Sequence, residues 1–487
     1  MLADRINQKI AVSVVYVSAM FMAIMDITIV NVTLPKLASD FGVAPDHIGG
    51  VVVGFLVSLA IFIPASGWLG DRFGMKRMLL LAIVIFTGSS ALCGLAQSLT
   101  QLVIFRIMQG VGGGMLTPIG MALLYRTFPP AERVRASRIL IVPTAFAPAL
   151  GPVLGGLLVT DVSWRWVFFV NLPIGLAALV FGFLFLKEHK ESDAGRFDLG
   201  GFLLAGTGLP ALMYALSEGP SRGWTSPLIL GIGAAGVVLL AVLVRYELRV
   251  EQPMVDLRVL GNRLFRSSTS IIFIGMAAFL GTLYVVALFF QAGLGLTALN
   301  AGLSTFPEAI GVMLGAQIST RLYPYVGPRR LMAGGLSAVA GLALLMTLVG
   351  FSTSLWVPRV LMFFLGISIA HVFAPVQAAA FATISHASTG RASTVFNTSR
   401  QVGSALGVAI LTTVMSAVGV AHQVHGHPQP NLAAFHWAFV VAAGLALVAA
   451  RFALTIIDAD AAPTMVKHPR RAQRQPQADS ELAAAVD

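Results

Sequence analysis

Residues 10–34 read IAVSVVYVSAMFMAIMDITIVNVTL, an apolar run long enough to cross a bilayer, with one carboxylate, Asp26, about two thirds of the way along it. An ionised acid near the middle of a membrane helix costs roughly 2.5 to 3.5 kcal/mol on insertion scales, so such groups usually face a bundle interior or a watered cavity. Desolvation favours the neutral form, which lets Asp26 exchange a proton. The competing interpretation is a structural acid paired to a neighbouring helix.

The composition indicates a polytopic membrane protein. Of 487 residues, 57% are hydrophobic and only 11% are charged, against roughly 25% charged residues in a soluble domain. Long apolar stretches between short loops favour helices over an outer-membrane barrel, and the first stretch is too long for a cleaved signal peptide. The formal net charge of +11 would suit nucleic-acid binding, but the basic residues mark membrane topology instead. The single cysteine, Cys93, excludes an intrachain disulfide.

Hydropathy predicts fourteen helices in a multi-pass cell-membrane protein with both termini in the cytoplasm. Basic residues favour the cytoplasmic side of short loops, so their positions test this count. With the amino terminus inside, the outside segments hold only Lys36, Arg165 and Arg222, and one span more or fewer would destroy the alternation. The predicted spans lie near residues 10–34, 46–69, 77–96, 100–124, 137–160, 166–186, 198–217, 225–247, 266–290, 300–322, 330–351, 356–384, 393–419 and 433–456.

A repeated motif divides the chain into two halves, as in many transporters. Residues 74–77, GMKR, match residues 327–330, GPRR, and the same offset places Arg106 on Arg359. We therefore predict an all-α fold of two six-helix bundles with two further helices inserted between them. The predicted segments are an amino-terminal bundle (1–186), a linker with the inserted helices (187–265), a carboxyl-terminal bundle (266–457) and a disordered cytoplasmic tail (458–487).

The loop after the second span reads GWLGDRFGMKR over residues 67–77. Its glycines permit a tight turn and close helix approach, and Asp71 can meet a positive helix N-terminus and neighbouring arginines. Residues 390–394, GRAST, begin the thirteenth span on the same side and offer such an N-terminus. We infer a latch that holds the outward-facing state; a merely topogenic basic loop is the alternative. The latch residues are Gly67, Gly70, Asp71, Arg72, Gly74, Lys76 and Arg77.

Two further spans carry polar or kinking residues at regular intervals. Arg106, Gln109 and Gly110 share one face of the fourth span, and Arg106 cannot deprotonate, so its charge needs a partner or water. The fifth span reads PALGPVLGG over residues 148–156. There Gly151 and Gly155 permit close helix contact, and the prolines kink the helix. The residues of this motif are Pro148, Gly151, Pro152, Gly155 and Gly156.

These motifs together resemble those of the major facilitator superfamily. The loop at 67–77 resembles its loop signature, the sequence around Arg106 resembles a signature assigned to proton transfer, and residues 148–156 resemble the signature of its antiporters, except that Ala147 replaces a glycine. The stretches DITIVNVTLP (26–35) and WRWVFFVNLPIG (164–175) are similar to those of the fourteen-span drug:proton antiporters of the EmrB/QacA type. The resemblance implies the major facilitator fold and a proton-coupling site and substrate cavity. We assign Asp26, Asn31, Arg106 and Gln109 to that site, and we add Glu308 because of its membrane depth alone, since it has no strong counterpart in the family pattern.

Glu308, in the tenth span, is the second acid at membrane depth. It either carries a second proton or attracts cationic substrates, and a buried pairing role is an equal alternative. His371 in the twelfth span is expected to be a helix-contact residue. His422, His425 and His427 share one outside loop but lack a Cys or carboxylate beside them, so we predict a solvated loop and no metal site.

The predicted function is a proton-coupled multidrug efflux antiporter that exports lipophilic cationic compounds by alternating access. The alternatives are an exporter of a native metabolite, siderophore or lipid, a proton-linked importer, and a membrane scaffold or sensor. Nothing in the sequence suggests an enzyme. We expect a proton gradient in place of a cofactor, and small-molecule substrates, protons and the lipid bilayer as partners. We also expect a monomer, and a periplasmic adaptor protein is left open.

Overall fold

Most of the chain is helical in the computed structural model. It describes residues 6–42, 50–129, 151, 153–190, 197–251, 253, 255–385, 388–424 and 427–465, together with 132, 136, 146, 147 and 150. Within these residues twelve helices are long and apolar enough to cross a bilayer. They are α1 (Gln8–Phe41), α2 (Gly50–Phe73), α3 (Met75–Leu95), α4 (Leu99–Thr127), α5 (Asn171–Phe185, preceded by the turn Trp166–Phe169), α6 (Leu199–Arg222), α7 (Pro227–Glu247), α8 (Arg263–Leu288), α9 (Ala298–Met346), α10 (Trp356–Ala380), α11 (Thr389–Val418) and α12 (Leu432–Ala453).

The longest helix, α9, is long enough for two membrane crossings. At 1.5 Å per residue its 49 residues extend about 73 Å, more than twice the roughly 30 Å of a hydrocarbon core. Gly327 interrupts it with φ 80° and ψ 161°, so one crossing precedes this residue and one follows it. The predicted fifth span, 137–160, lies largely outside the described residues. The all-α class is confirmed, and the count of fourteen stays a prediction.

Several helix ends follow local signals in the sequence. Asn7 caps α1 by accepting a hydrogen bond from the Lys9 backbone N–H at 2.9 Å. Ser98 caps α4 by accepting one from the Gln101 backbone N–H. Gly42 ends α1 with φ 64°, a conformation that glycine adopts without strain. These local signals set the helix lengths, and packing sets the arrangement of the helices.

Each half packs through crossings at which glycine lets two helix backbones approach closely. In the amino-terminal half, a Cβ on Gly114 of α4 would lie 2.6 Å from the Leu59 carbonyl oxygen of α2. In the carboxyl-terminal half, Gly407 of α11 lies against the backbone of Ala277 in α8 in the same way. Small residues at such crossings are typical of membrane helices. These crossings bring the polar side chains of separate helices together.

The two inserted helices, α6 and α7, pack against each other and dock on the seam between the halves. Helix α6 contacts both α2 and α11. Phe202 of α6 packs edge-on against Phe62 of α2, with ring centroids 6.2 Å apart. Trp224, between the two inserted helices, donates from Nε1 to the Thr413 hydroxyl of α11 at 2.7 Å. The inserted pair therefore touches both halves.

The segment before α12 contains the histidines of the predicted solvated loop. It forms a β-hairpin in which β1 (Ala421–Val424) pairs antiparallel with β2 (His427–Pro430). His425, and the side chains of His422 and His427, lie outside the described part of the structure. The described residues contain no group of three or more His, Cys, Asp or Glu side chains arranged to hold a metal.

The first residues of the predicted disordered tail are structured. Asp458–Thr464 form a 3-10 turn, and the hydroxyls of Tyr323 and Thr464 lie 2.8 Å apart. The Asp458 carboxylate accepts a hydrogen bond from the Arg329 backbone N–H at 2.9 Å. This bond satisfies a donor at the start of the second crossing of α9, which orders the segment. Residues 466–487 lie outside the described residues.

Candidate functional site

The amino-terminal half encloses a polar network centred on Asp26 of α1. Arg106 of α4 donates from Nη1 to Asp26 Oδ2 at 2.5 Å. Gln109, one turn further along α4, donates from Nε2 to Asp26 Oδ1 at 2.9 Å. Asn171, at the start of α5, donates from Nδ2 to the same Oδ1 at 3.0 Å. Three side chains from two helices thus hold one carboxylate.

Arg106 has its own set of partners in this network. Its Nη1 also donates to Gln109 Oε1 at 2.8 Å, and its Nε donates to the Val51 carbonyl at 3.3 Å. The guanidinium carbon lies 4.3 Å from the centroid of the Phe55 ring and 5.9 Å from that of Phe168. The positive charge that the sequence left without a partner is therefore balanced by Asp26 and two aromatic faces.

Asp26 lies inside the helix bundle in this conformation, one of the two environments that the sequence left open. Its side chain is 0% exposed and that of Arg106 is 1% exposed. Removing one member of such a pair costs about 3–5 kcal/mol, because the other charge is left unpaired in a low-dielectric interior. Proton exchange at Asp26 therefore requires the ion pair to open.

Asn171 and Ser90 complete the network, and we did not predict either of them as site residues. Asn171 Nδ2 donates to Ser90 Oγ at 3.0 Å, and Ser90 donates to the Phe168 carbonyl at 2.8 Å. Asn171 belongs to the stretch 164–175 that is similar to the antiporter family, so an amide side chain within a family motif could have marked it as a site residue. Ser90 is a small polar residue in an apolar helix and offered no such signal. The side chain of Asn31 lies outside the described residues.

The antiporter-like motif lies beside Asp26. Gly151 packs against Thr28 of α1, and a Cβ at this glycine would lie 3.1 Å from the Ile29 backbone nitrogen. The Thr28 hydroxyl also approaches the Ala147 carbonyl at 3.4 Å. Helix α1 therefore contacts this motif two residues from the buried acid. Of the remaining motif residues, Gly155 is buried, Gly156 borders open space, and Pro148 and Pro152 lie outside the described residues.

Asp71 joins the two halves at one end of the molecule. Its Oδ1 accepts a hydrogen bond from Arg126 Nη2 at 3.0 Å, and both side chains are buried. The carboxylate also faces the start of α11, where a Cβ on Gly390 would lie 3.1 Å from Asp71 Oδ2. Gly67 lies so close to α11 that a Cβ there would be 2.7 Å from Thr394 Oγ1. This geometry matches the docking that we inferred from the sequence and adds Arg126 as a partner.

Further contacts between the halves lie at the same end. Ser393 of α11 donates to the Pro118 carbonyl of α4 at 2.8 Å. The ring of Tyr125 in α4 stacks on that of Phe381, with centroids 4.6 Å apart. Its hydroxyl donates to Gln377 Oε1 of α10 at 3.3 Å. The two halves are therefore in direct contact around the loop at 67–77.

The remaining residues of the predicted latch do not reach α11. Gly74, with φ 102°, lies so close to the Glu188 carboxylate that a Cβ at this position would displace it. Glu188 instead accepts hydrogen bonds from the backbone N–H groups of Lys76 at 2.9 Å and Arg77 at 3.3 Å, and so caps α3. Gly70 packs at ordinary distance on α4, and the Arg72 side chain is exposed. The loop therefore makes two separate contacts, one between the halves and one within the amino-terminal half.

Glu308 lies in the first crossing of α9 and is 8% exposed. No described residue makes a hydrogen bond or ion pair with its carboxylate, and the nearby Arg359 instead reaches Ser304 Oγ at 3.5 Å. Two residues before Glu308, the Phe306 ring lies 6.2 Å from that of Phe146 in the opposite half. Glu308 thus lies near the boundary between the halves with its charge unbalanced by the described residues.

His371 of α10 forms a hydrogen-bond contact within its own helix. Its Nδ1 lies 2.7 Å from the Ile367 carbonyl oxygen, one turn earlier in α10. Its Nδ1 therefore pairs with the backbone of its own helix, and among the described residues no hydrogen bond or ion pair joins His371 to Asp26 or Glu308.

Comparison with known proteins identifies relatives of similar length. The profile of the Major Facilitator Superfamily matches residues 16–408. A multidrug resistance protein B homolog of Mycobacterium tuberculosis is 30% identical over 406 residues, which cover 82% of this chain and 75% of the relative. A putative multidrug resistance protein MdtD of Serratia proteamaculans is 29% identical over 449 residues, which cover 92% of this chain and 94% of the relative.

Two solved structures share the fold at low sequence identity. The human organic anion transporter MFSD10 superposes with a TM-score of 0.66 at 16% identity, covering 91% of this chain and 99% of its own. The proton:xylose symporter XylE superposes with a TM-score of 0.58 at 15% identity, covering 92% and 96%. At these identities the likeness concerns the fold alone.

Proposed function

The chain belongs to the major facilitator superfamily, and we propose that it is a fourteen-span drug:proton antiporter that exports lipophilic cationic compounds. The relatives named as multidrug resistance proteins support the export of drugs. The buried network around Asp26 supports proton coupling and is the observation on which this proposal depends. In this proposal the proton gradient supplies the energy for export. The positions of the basic loops support a cytoplasmic location for residues 67–77.

In this proposal the Asp26–Arg106 pair converts protonation into helix movement. A proton on Asp26 removes the negative charge and leaves the guanidinium unpaired at membrane depth, which is costly. Gln109 and Asn171 bind the same carboxylate, so the change is transmitted from α1 to α4 and α5. The ion pair therefore favours one arrangement of these helices, and the protonated acid favours another.

The contacts of Asp71 keep the cytoplasmic side closed in the outward-facing state. Opening that side separates Asp71 from the start of α11 and Ser393 from the Pro118 carbonyl. Closing the opposite side exposes the central cavity to the cytoplasm, as alternating access requires. The cycle then depends on a few polar contacts that form in only one of the two states.

Glu308 is the acid proposed to attract the cationic group of a substrate. An unpaired carboxylate at membrane depth is costly, and a bound cation or a proton relieves that cost. On the outside the carboxylates bind protons and the cation leaves; on the inside the protons leave and a new cation binds. Each charge moved through 100 mV supplies about 2.3 kcal/mol, while a tenfold concentration gradient requires about 1.4 kcal/mol.

Proton-driven uptake of a lipophilic cationic dye into inverted vesicles tests the role of Asp26. Asp26→Asn should abolish the uptake driven by a pH gradient. Because this substitution also leaves Arg106 unpaired, the double variant Asp26→Asn/Arg106→Gln should be measured beside it. The double variant has no buried charge at this site, so it should fold, as checked by its thermal unfolding, and still fail to couple.

Asp40→Asn is the matched control on the same helix. Asp40 is partly exposed and pairs with Lys36 at 2.7 Å, so its removal should leave uptake at the wild-type level. Proton-driven uptake at the wild-type rate by either Asp26 variant would refute the assignment.

A further inference from the structure

Arg400 of α11 is a second arginine at membrane depth, and the proposed cycle does not use it. It is the twelfth residue of a helix that begins at Thr389, which places it about 17 Å along the membrane span. Its side chain is partly buried. Arginine stays charged in proteins, so a guanidinium at this depth needs a counter-charge or water.

Arg400 faces the opposite half of the protein. Asn397, one turn earlier on the same helix face, reaches α4: its Nδ2 donates to Met121 Sδ at 3.4 Å. Arg400 therefore lies at the boundary between the two halves, which is where alternating access places a substrate.

No described residue forms a hydrogen bond or ion pair with the Arg400 guanidinium, unlike Arg106. The sequence has only two acids deep within the predicted spans, Asp26 and Glu308. Asp26 is already paired with Arg106, and no ion pair joins Glu308 to Arg400 among the described residues. The counter-charge of Arg400 is therefore expected from outside the chain.

A polar group beside Arg400 also lacks a partner. Asn397 lies one turn before it on the same helix face, and its Nδ2 donates to the Ser393 carbonyl at 2.9 Å. The buried Asn397 Oδ1 has no hydrogen-bond partner among the described residues. Buried polar atoms are usually satisfied, so this atom indicates a place beside Arg400 where water or a ligand binds.

We propose that Arg400 binds the acidic group of the transported molecule, so that the preferred substrates are amphiphilic zwitterions whose cationic group interacts with Glu308. The inference rests on the proposed export function and narrows its substrate class from cations to molecules that carry both charges. A planar guanidinium binds a carboxylate through two parallel hydrogen bonds, an interaction that an ester cannot reproduce. Arg400 and Glu308 are opposite charges at membrane depth that the described structure leaves unpaired.

Equilibrium binding of two matched dyes to the purified full-length protein in a neutral maltoside detergent tests this inference. One dye is a rhodamine with a free carboxylate, and the other is its methyl ester, which keeps only the cationic group. Fluorescence anisotropy gives Kd for each dye. Arg400→Gln should raise Kd for the free acid about tenfold or more and leave Kd for the ester unchanged.

Two further variants separate this role from a structural one. Arg400→Lys keeps the charge and should retain part of the preference for the acid. Arg359→Gln removes a guanidinium of the same half that already contacts Ser304 and Trp356, and it should change neither Kd. Three results would each overturn the inference. Arg400→Gln could raise Kd equally for both dyes, or it could leave Kd for the free acid unchanged. The wild type could also show no measurable binding of the free acid.

Transport distinguishes failure of this inference from failure of the proposed function. If the wild type moves the ester dye with a pH gradient but Arg400→Gln binds both dyes normally, antiport stands and the role of Arg400 is overturned. If binding follows Arg400 but neither dye moves with a pH gradient, the acid site stands and proton-coupled export is overturned.

Discussion

A double-mutant cycle on Asp26 and Arg106 tests whether the buried ion pair is an energetic unit. The variants are Asp26→Asn, Arg106→Gln and the combination of both. Asp26→Asn strands a guanidinium that is 1% exposed, and removing one partner of a buried pair costs about 3–5 kcal/mol. Arg106→Gln should cost less, about 2–3 kcal/mol, because Gln109 and Asn171 still donate to the carboxylate, which can also bind a proton.

The double variant should be more stable than either single variant. It contains no buried charge at this site, so we expect a loss of only about 1 kcal/mol and therefore a coupling energy of about 4–7 kcal/mol. The free energy of unfolding is measured in detergent micelles by titration with a denaturing detergent, with helical circular dichroism as the signal. The partly exposed Lys36–Asp40 pair serves as control, with an expected coupling below about 0.5 kcal/mol. Additive losses at Asp26 and Arg106 would refute the ion-pair reasoning.

Two further predictions concern the seam and the second acid. Asp71→Asn removes the ionic contact with Arg126 and weakens the docking of this loop on α11, so we expect slower transport turnover. We also expect an impermeant maleimide to label a Ser393→Cys reporter faster in inverted vesicles, because Ser393 lies in the same contact. The labelling is measured in a Cys93→Ala background. Wild-type turnover together with unchanged labelling would count against the latch. Glu308→Gln should raise Kd for a cationic dye about tenfold, because the carboxylate that pairs with the cation is lost. The thermal unfolding midpoint should stay equal or rise, because the substitution removes an unpaired buried acid. An unchanged Kd would exclude a cation-binding role.

The internal repeat was predictable because it depends on local chain geometry. Gly74 and Gly327 occupy matching positions in the two halves, and both adopt positive φ, at 102° and 80°. The repeat did not reveal that each of these glycines lies beside an acid that follows just after the end of its own half. Glu188 and Asp458 cap the two following helices from more than one hundred residues away in the chain.

The members of the buried network were predictable singly but their pairing was not. Charged and amide side chains at membrane depth stand out in an apolar sequence, so Asp26, Arg106 and Gln109 were each selected as site residues. The sequence left open the partner of Asp26 and whether this acid faces the bundle interior or a watered cavity. Asn171 is part of a recognisable stretch, yet only the approach of α5 to α1 shows that its amide reaches the same carboxylate.

The sequence by itself determined that the chain is a helical membrane protein, and it located Asp26, Arg106 and Glu308 at membrane depth, because the transfer free energy of a segment depends only on its own residues. Tertiary structure alone decided that Asp26 is paired with Arg106, that Asp71 reaches the start of α11, and that Arg400 is left without a described partner. Each of these outcomes depends on which helices cross and at what distance. Those crossings are set by glycine contacts such as Gly114 against Leu59, which join residues far apart in the chain.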